Sequence, residues 1–544
     1  MSSDPKSRLS NRFSALSSSH PILSCEDSAR LERTLLDSDT KVWEAMRSVG
    51  QQLGRGILGE WEMARRSPRN LSVFALIGKG HNGGDALLAL YEMACRGAIG
   101  NVVLAIASPL AGLKVNTKRA FDLLEGALES ASLRVLCGSA QREEAWLAEI
   151  EETLRSQAFD VSIDGLLGMS FKAPLRTMAR GAIERVNEAP LIGMRVAVDL
   201  PSGLGEVSDE IAFRADVTFA AGILKKPLLD RNRESSIGCI RYFDIGFFGE
   251  NFDSSERVIA NTILDSLRAR RPVQSDKRTF GHLLVIAGSR SMPGALMMAV
   301  RSALQSGVGL VTACAPESLV PQLACQIPEA MWIPWPETPS GGLALEGLHL
   351  LRELKFNPTA LLVGPGMGAE HETLAMLVDV LKDWNSPLVV DADALRPEIL
   401  EVVKAPFIAT PHLGEFQRLL GREVIDSDID RDLKDLAKRS SGAFVLKGPN
   451  TRVADGDHLF VNTTGNSVLA RGGSGDLLAG MAAGLFAGAP REPLKVACQA
   501  VYWHGCAADR LAARKGQVAV RATDLLDTYA EALMMVPYGE GNNA

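Results

Sequence analysis

Short apolar runs that alternate with amphipathic stretches, and that end repeatedly in polar turns containing glycine, constrain this chain more than any other feature. In the first half the runs cover residues 71–77, 102–107, 161–163, 196–198 and 217–221, with a final strand over 240–243. Runs that are apolar throughout fit strands covered on both faces, as in a parallel sheet. Helical spacing lies between most of them. Over 27–65 it places Leu31, Leu35, Leu36, Trp43, Met46, Val49 and Leu53 on one face and predicts two helices before the first strand. The polar, proline-containing segment 268–277 (RARRPVQSDK) has no period and reads as linker. The alternation then restarts at 283–287, 310–313, 360–363, 388–390, 407–408 and 443–446, and the chain ends in Ala/Leu-rich helical stretches from Leu477. No short repeat is present, and the glycine motifs of the two halves differ. The fold class is therefore α/β, with two unrelated doubly wound α/β sandwich domains.

Composition bounds the function. A length of 544 residues suits two large domains. With 46% apolar and 23% charged residues, each can bury a globular core. A net charge of −7 argues against general nucleic-acid binding. The cysteines (Cys25, Cys95, Cys137, Cys239, Cys314, Cys325, Cys498, Cys506) form no C-x-x-C pair, so they are expected to be reduced, mostly buried thiols of a cytoplasmic protein. No apolar run approaches the ~18 residues of a membrane helix. Residues 1–21, rich in serine, read as a disordered tail.

The first glycine turn, Gly78-Lys79-Gly80-His81-Asn82-Gly83-Gly84-Asp85, follows a strand and precedes a helix expected to begin near Ala86. Glycines let backbone approach an anion, and a helix start offers free N–H groups. A dinucleotide-binding Rossmann site would also need an acid after the next strand, where Ser108-Pro109 stands instead. Asp164, in IDGLLG, and Asp199 with Ser202, in DLPSG, end two further strands. Ligands in open α/β sheets sit outside such carboxyl ends, so three of them are expected to share a pocket. Taken singly, each Asp is more often a turn former.

At these residues the first half resembles the epimerase domain of the bifunctional NAD(P)H-hydrate repair enzymes, through HNGGDA, IDGLLGMSFKAP and DLPSG, over 22–250. The resemblance implies a Rossmann-like domain that binds hydrated NADH or NADPH on Asn82, Gly83, Gly84, Asp85 and Asp199, with 168–174, from Gly168, as a lid-like loop. It implies a potassium ion on Asn82, Asp164 and Ser202, and Asp199 as the carboxylate that moves protons at the epimerised carbon. The chain departs from the family pattern at His81, Ala86, Met169 and Ser170.

The second half carries its strongest signal at Arg471-Gly472-Gly473-Ser474-Gly475-Asp476, ahead of an apolar helix. Glycines at a helix start cradle a phosphoryl group, and Asp476 stands where it can take a proton from an attacking hydroxyl. A plain glycine-rich helix cap is the competing reading. Strand ends bearing Gly288–Ala295, GPGMG (364–368), DADAL (391–395), TPHLGE (410–415) and VLKGPNT (445–451) describe one crevice. No G-x-x-x-x-G-K-[ST] occurs, which excludes a P-loop. For Asp391 and Asp393, fixing a turn is as good a reading as holding a metal. His504, on an Ala/Cys-rich helical stretch, reads as a packing histidine.

These motifs resemble the ribokinase-like dehydratase domain of the same family, assigned to 278–537 after a linker over 251–277. The resemblance implies that Lys447, Gly448, Pro449, Asn450, Thr451 and Gly475 bind an adenine nucleotide. Ala295, Gly368, His412 and Asp476 would contact the substrate. It implies ADP as co-substrate with Mg2+ on its phosphates, phosphorylation of the substrate hydroxyl, and return of the ring double bond as phosphate leaves. Partners are then hydrated NADH or NADPH and adenine nucleotide, with no nucleic acid and no membrane, in a homo-oligomer. Two other readings remain open at this stage. One is a ribokinase-like kinase that releases a phosphorylated vitamin precursor. The other is an active dehydratase whose first half only binds a nucleotide or partner.

Overall fold

A computed structural model describes residues 14–64, 67–128, 132–248 and 254–534. Their contacts form two compact units, one within 21–253 and the other within 254–535 together with the segment ending at His20. No helix among the described residues is long and apolar enough to cross a membrane.

In the first unit, β1 (Ser19–Leu23) pairs through Ile22 and Leu23 with β8 (Leu224–Lys225). The main sheet comprises β2 (Leu71–Ile77), β3 (Ile99–Ile106), β4 (Leu133–Cys137), β5 (Phe159–Gly165), β6 (Ile192–Val198), β7 (Val217–Ala221) and β9 (Cys239–Phe243). Its order is β4-β3-β2-β5-β6-β7-β9, parallel throughout. The chain builds outward from β2 on one side and from β5 on the other. The topological switch therefore falls between β2 and β5, where a ligand crevice is expected. The two expected helices are Cys25–Leu35 and Asp39–Met63; the second buries Trp43, Met46, Leu53, Ile57 and Trp61.

The helix after β2 begins at His81, not near Ala86, and takes in both glycines that read as loop. They are there for close packing. A Cβ on Gly83 would lie 2.1 Å from the Gly78 carbonyl oxygen, and one on Gly84 would lie 2.3 Å from Met46 Cε. Strand β4 was not expected, because only one of its five residues is buried and its sequence LRVLC carries a charge.

The second unit has β10 (Glu256–Ile259), β11 (His282–Ile286), β12 (Leu310–Pro316), β13 (Met331–Trp335), β14 (Ala360–Val363), β15 (Leu388–Val390), β16 (Phe407–Ala409), β17 (Ala443–Leu446), β18 (Arg452–Ala454) and β19 (Leu459–Val461). Strands run β13-β12-β11-β14-β15-β16-β17, all parallel, then β18 and β19 antiparallel, with β10 parallel to β19. The switch lies between β11 and β14. Helix Ser474–Gly488 is buried along nearly its whole length, as an apolar-all-round helix must be. Strand β13 escaped the sequence reading because Pro334 interrupts it, which an edge strand tolerates.

Three sequence expectations need correction. Of the tail, residues 1–13 lie outside the described residues, but 14–21 are ordered, with Ser18, Ser19 and His20 buried. Arg257 Nε donates to Ser19 Oγ at 2.7 Å, and its guanidinium also reaches the carbonyls of Leu16 and Ser19. Of the linker, 251–253 lie outside the described residues, while 256–268 form β10, a 3-10 turn and a short helix. Val258, Ile259, Ile263 and Leu264 give that stretch enough apolar surface to be buried, and only the exposed stretch after Arg268 behaves as linker. All eight cysteines are thiols, yet only Cys25, Cys314 and Cys498 are buried, so they are not mostly buried.

Candidate active sites

The carboxyl ends of β2, β5, β6 and β8 open on one cavity of about 370 Å³ in the first unit. Its lining includes His81, Asn82, Gly83 and Asp85 from the glycine turn, Leu166 to Phe171 from the turn after β5, and Asp199. The three expected strand ends thus meet. Asp199 sits at φ 66, in the left-handed region that non-glycine residues seldom adopt. Its carboxylate is ion-paired with Lys225, whose side chain is 1% exposed. Burial works to lower the Lys225 pKa but is outweighed by the carboxylates of Asp199 and Glu32, so the ammonium is held charged.

Asp85 Oδ1 is shut off from solvent with no hydrogen-bond partner among the described residues. Burial, then Asp199 and Glu32, push its pKa well above the ordinary carboxylate value. Burial likewise lifts Glu32 to about 7, with Lys225 opposing. Neither Lys225 nor Glu32 was found from sequence. Lys225 sits in an apolar stretch, GILKKP, which is a faint signal; Glu32 looks like an ordinary polar position on an amphipathic helix.

Asn82, Asp164 and Ser202 converge on the turn after β5. Asp164 is fully buried. Its Oδ1 accepts from Leu166 N at 3.1 Å and Ser202 Oγ at 2.7 Å, and its Oδ2 accepts from Ser202 N at 2.7 Å. Ser202 Oγ in turn accepts from Leu167 N at 2.9 Å, and Asn82 Nδ2 donates to Leu167 O at 2.6 Å. Burial raises Asp164 to about 6, with only hydrogen bonds opposing it and no cationic side chain. Ala86 fits because its Cβ faces Gly165, where a second Cβ would lie only 2.6 Å away. His81, Met169 and Ser170 all line the cavity.

In the second unit, Lys447 follows β17 and donates from Nζ to Asp391 Oδ1 at 2.9 Å, with Glu415 Oε2 at 3.8 Å. Asp391, buried after β15, also accepts from Thr410 Oγ1 at 2.7 Å. Gly475 comes so close that a Cβ there would lie 3.3 Å from Lys447 Nζ. Next to it, Asp476 occupies the first turn of helix Ser474–Gly488, whose cap Gly473 has φ 95. Burial, then Asp391, raise Asp476 to about 6, with Lys447 opposing. Among nucleotide candidates, Asn450 takes φ 50, Thr451 Oγ1 donates to Gly448 O at 2.9 Å, and Gly448 faces open space. Pro449 lies within the same turn.

His412 pairs in backbone register with Lys447 and caps helix Leu413–Leu420, its Nδ1 accepting from Gly414 N at 3.0 Å. Ala295 lies on helix Pro293–Gln305, beside Gly366, where a Cβ would be 2.8 Å from that of Ala295. Gly368 N donates to Asp393 Oδ2 at 2.8 Å, so Asp393 fixes a turn, and Asp391 serves Lys447. His504 is buried, edge-on to Tyr529, with Nδ1 unpartnered among the described residues; burial lowers its pKa to about 4. It is a packing histidine not fully satisfied.

Residues 283–531 match the family model described as NAD(P)H-hydrate dehydratase, and 44–227 match the YjeF-related protein N-terminus. The bifunctional NAD(P)H-hydrate repair enzyme of Gloeobacter violaceus is 32% identical, over 91% of this chain and 94% of that protein. That of Moorella thermoacetica is also 32% identical, over 84% and 86%. Among solved structures, the ADP/ATP-dependent NAD(P)H-hydrate dehydratase of Bacillus subtilis is similar at 30% identity and TM-score 0.44, over 49% of this chain and 93% of that one. Matched through both halves by relatives of the same two-part design, the chain belongs to the bifunctional NAD(P)H-hydrate repair enzymes, which epimerise the hydrated nucleotides and dehydrate them.

Proposed function

We propose that the dehydratase chemistry runs at Asp476, with ADP as co-substrate. The nucleotide lies along Lys447, Gly448, Pro449, Asn450, Thr451 and Gly475, and the hydrated ring is held by Ala295, Gly368 and His412. Asp476 accepts the proton of the substrate hydroxyl as that oxygen attacks the terminal phosphorus of ADP. AMP departs, the ring nitrogen's lone pair expels phosphate, and loss of a ring proton restores NAD(P)H. Hydroxide leaves poorly and phosphate well, so catalysis needs positioning and charge stabilisation above all. The observation that carries this reading is Asp476 at about 6, beside Lys447 and an open helix start. A base of that strength is ionised at neutral pH yet still takes a proton.

Magnesium would ride on the nucleotide phosphates. No three His, Cys, Asp or Glu side chains among the described residues converge as a cage, which suits an ion held mainly by phosphate oxygens, with Asp393 nearby.

In the first unit, the substrate is held by Asn82, Gly83, Gly84, Asp85 and Gly168, and Asp199 transfers the proton. Potassium on Asn82, Asp164 and Ser202 fits the donor chemistry: oxygen ligands around a buried carboxylate with no cationic side chain to balance it. The ion would hold the turn after β5 in place. We take 22–250 and 278–537 as the two domains, the assembly as a homo-oligomer, and the compartment as the reducing cytoplasm that eight thiols suit.

One experiment tests the scheme. Racemic hydrated NADH is incubated with ADP, magnesium and potassium, and dihydronicotinamide absorbance is followed. Both epimers are converted in full; replacing potassium with sodium stalls the reaction at one epimer. A stable phosphorylated product would refute dehydration in favour of a kinase.

A further inference from the structure

The cavity of the first unit holds one more acid than substrate binding and Asp199 require. Glu32, on helix Cys25–Leu35, lines it together with Asp85, Asp199 and Lys225. It lies outside the residues that match the family model, 44–227. Its carboxyl has no hydrogen bond or ion pair among the described residues, although it acts electrostatically on both Asp85 and Lys225. Lys225, the one buried lysine of the lining, is committed to Asp199.

We propose that Glu32 is the proton donor of the epimerase site, working against the Asp199 carboxylate that Lys225 holds. The inference rests on the epimerase reading of this unit. Inverting a carbon that bears a hydroxyl next to a ring nitrogen requires an acid and a base. The Glu32 carboxyl gives its proton to the hydroxyl. The C–O bond breaks as the nitrogen lone pair forms C=N, and water is released. Water then adds to the opposite face, Asp199 takes its proton, the C=N pair returns to nitrogen, and the proton passes back to Glu32. Atoms and charge balance over the cycle.

The division of labour follows from surroundings. Asp199 is paired with a buried ammonium; Glu32 has no such partner, and burial favours its protonated form. Asp85 is the poorer donor, because its pKa lies well above the ordinary range and it gives up its proton reluctantly. Lys79, His81 and Lys114 line the same cavity and complete the set of charged or titratable groups there.

The test uses the full chain and one purified epimer of hydrated NADH, without ADP, and follows the appearance of the other epimer from pH 5 to 9. Wild-type kcat falls as pH rises through about 7, where Glu32 loses its proton. Glu32→Gln lowers kcat by about 100-fold or more, with little change in KM, and abolishes that alkaline limb. Glu32→Asp keeps the limb at a reduced rate, which separates a lost donor from a local fold defect. If Glu32→Gln retains kcat within about threefold, or loses it with the limb unchanged, Glu32 is not the donor. If the wild-type chain itself gives no acceleration over buffer, the epimerase reading fails instead, and this proposal with it.

Discussion

Replacing Asp476 by Asn should disable the dehydratase while making its unit more stable, a combination that damage to the fold cannot produce. The carboxyl is raised from 3.8 to about 6, chiefly by burial and then by Asp391. The folded state therefore binds more protons than the unfolded one between those two values, so Asp476 costs stability as pH rises from about 4 to 6, and the cost is constant above. At about 1.4 kcal/mol per pKa unit, the ceiling is about 3 kcal/mol. Asparagine keeps the polar desolvation but sheds the charge, so a gain of about 1–2 kcal/mol is expected above pH 6, or roughly 3 °C in melting temperature per kcal/mol. Below about pH 4 the gain disappears, because the wild-type acid is then neutral in both states. Loss of a general base lowers kcat by about 100- to 10,000-fold. Calorimetry of the full chain at pH 7 and pH 4, beside absorbance assays with ADP, reads both effects. A variant that is inactive but less stable at pH 7, or one that turns over normally, refutes the role assigned to Asp476.

Three further outcomes are expected. Lys225→Met leaves the half-buried Asp199 without its cation, so epimerisation is lost and the first unit is weakened by about 1–3 kcal/mol, read by denaturant unfolding, while dehydration of the reactive epimer continues. Gly165→Ala forces a Cβ to 2.6 Å from that of Ala86 and destabilises the unit by about 1–3 kcal/mol; Ala86→Gly in the same chain recovers part of it, and a strictly additive double variant would contradict the packing argument. Arg257→Met removes three hydrogen bonds to Leu16 and Ser19, costs about 2–4 kcal/mol, and makes the segment before His20 sensitive to protease; unchanged protection would refute the anchoring.

What could be read from the sequence divides along a physical line. Strands buried on both faces, such as 71–77 and 443–446, are continuous apolar runs and fall where the sequence put them. Strands that lie at an edge or carry charge, such as β4 and β13, give no such run. Glycines misled at one point: Gly83 and Gly84 read as loop, but both lie inside a helix, where Gly83 passes so close to the Gly78 carbonyl that no Cβ fits. In the sites, residues on turns after strands were legible, since the α/β architecture sends those turns to a common edge.

Side chains that reach the same edge from elsewhere were not legible. Lys225 comes from a two-residue strand and Glu32 from a helix ahead of the sheet, and neither position has a local pattern that sets it apart. Their meaning lies in the company they keep. In each unit a lysine pairs with the aspartate at a strand end, Lys225 with Asp199 and Lys447 with Asp391, while other acids nearby are left without a full counter-charge. That arrangement separates carboxyls paired with a lysine from those, Glu32 and Asp476, whose protonated form burial favours, within a single cavity or cluster. The sorting is what acid–base work at neutral pH requires, and it is a property of three-dimensional neighbours that no spacing along the chain encodes.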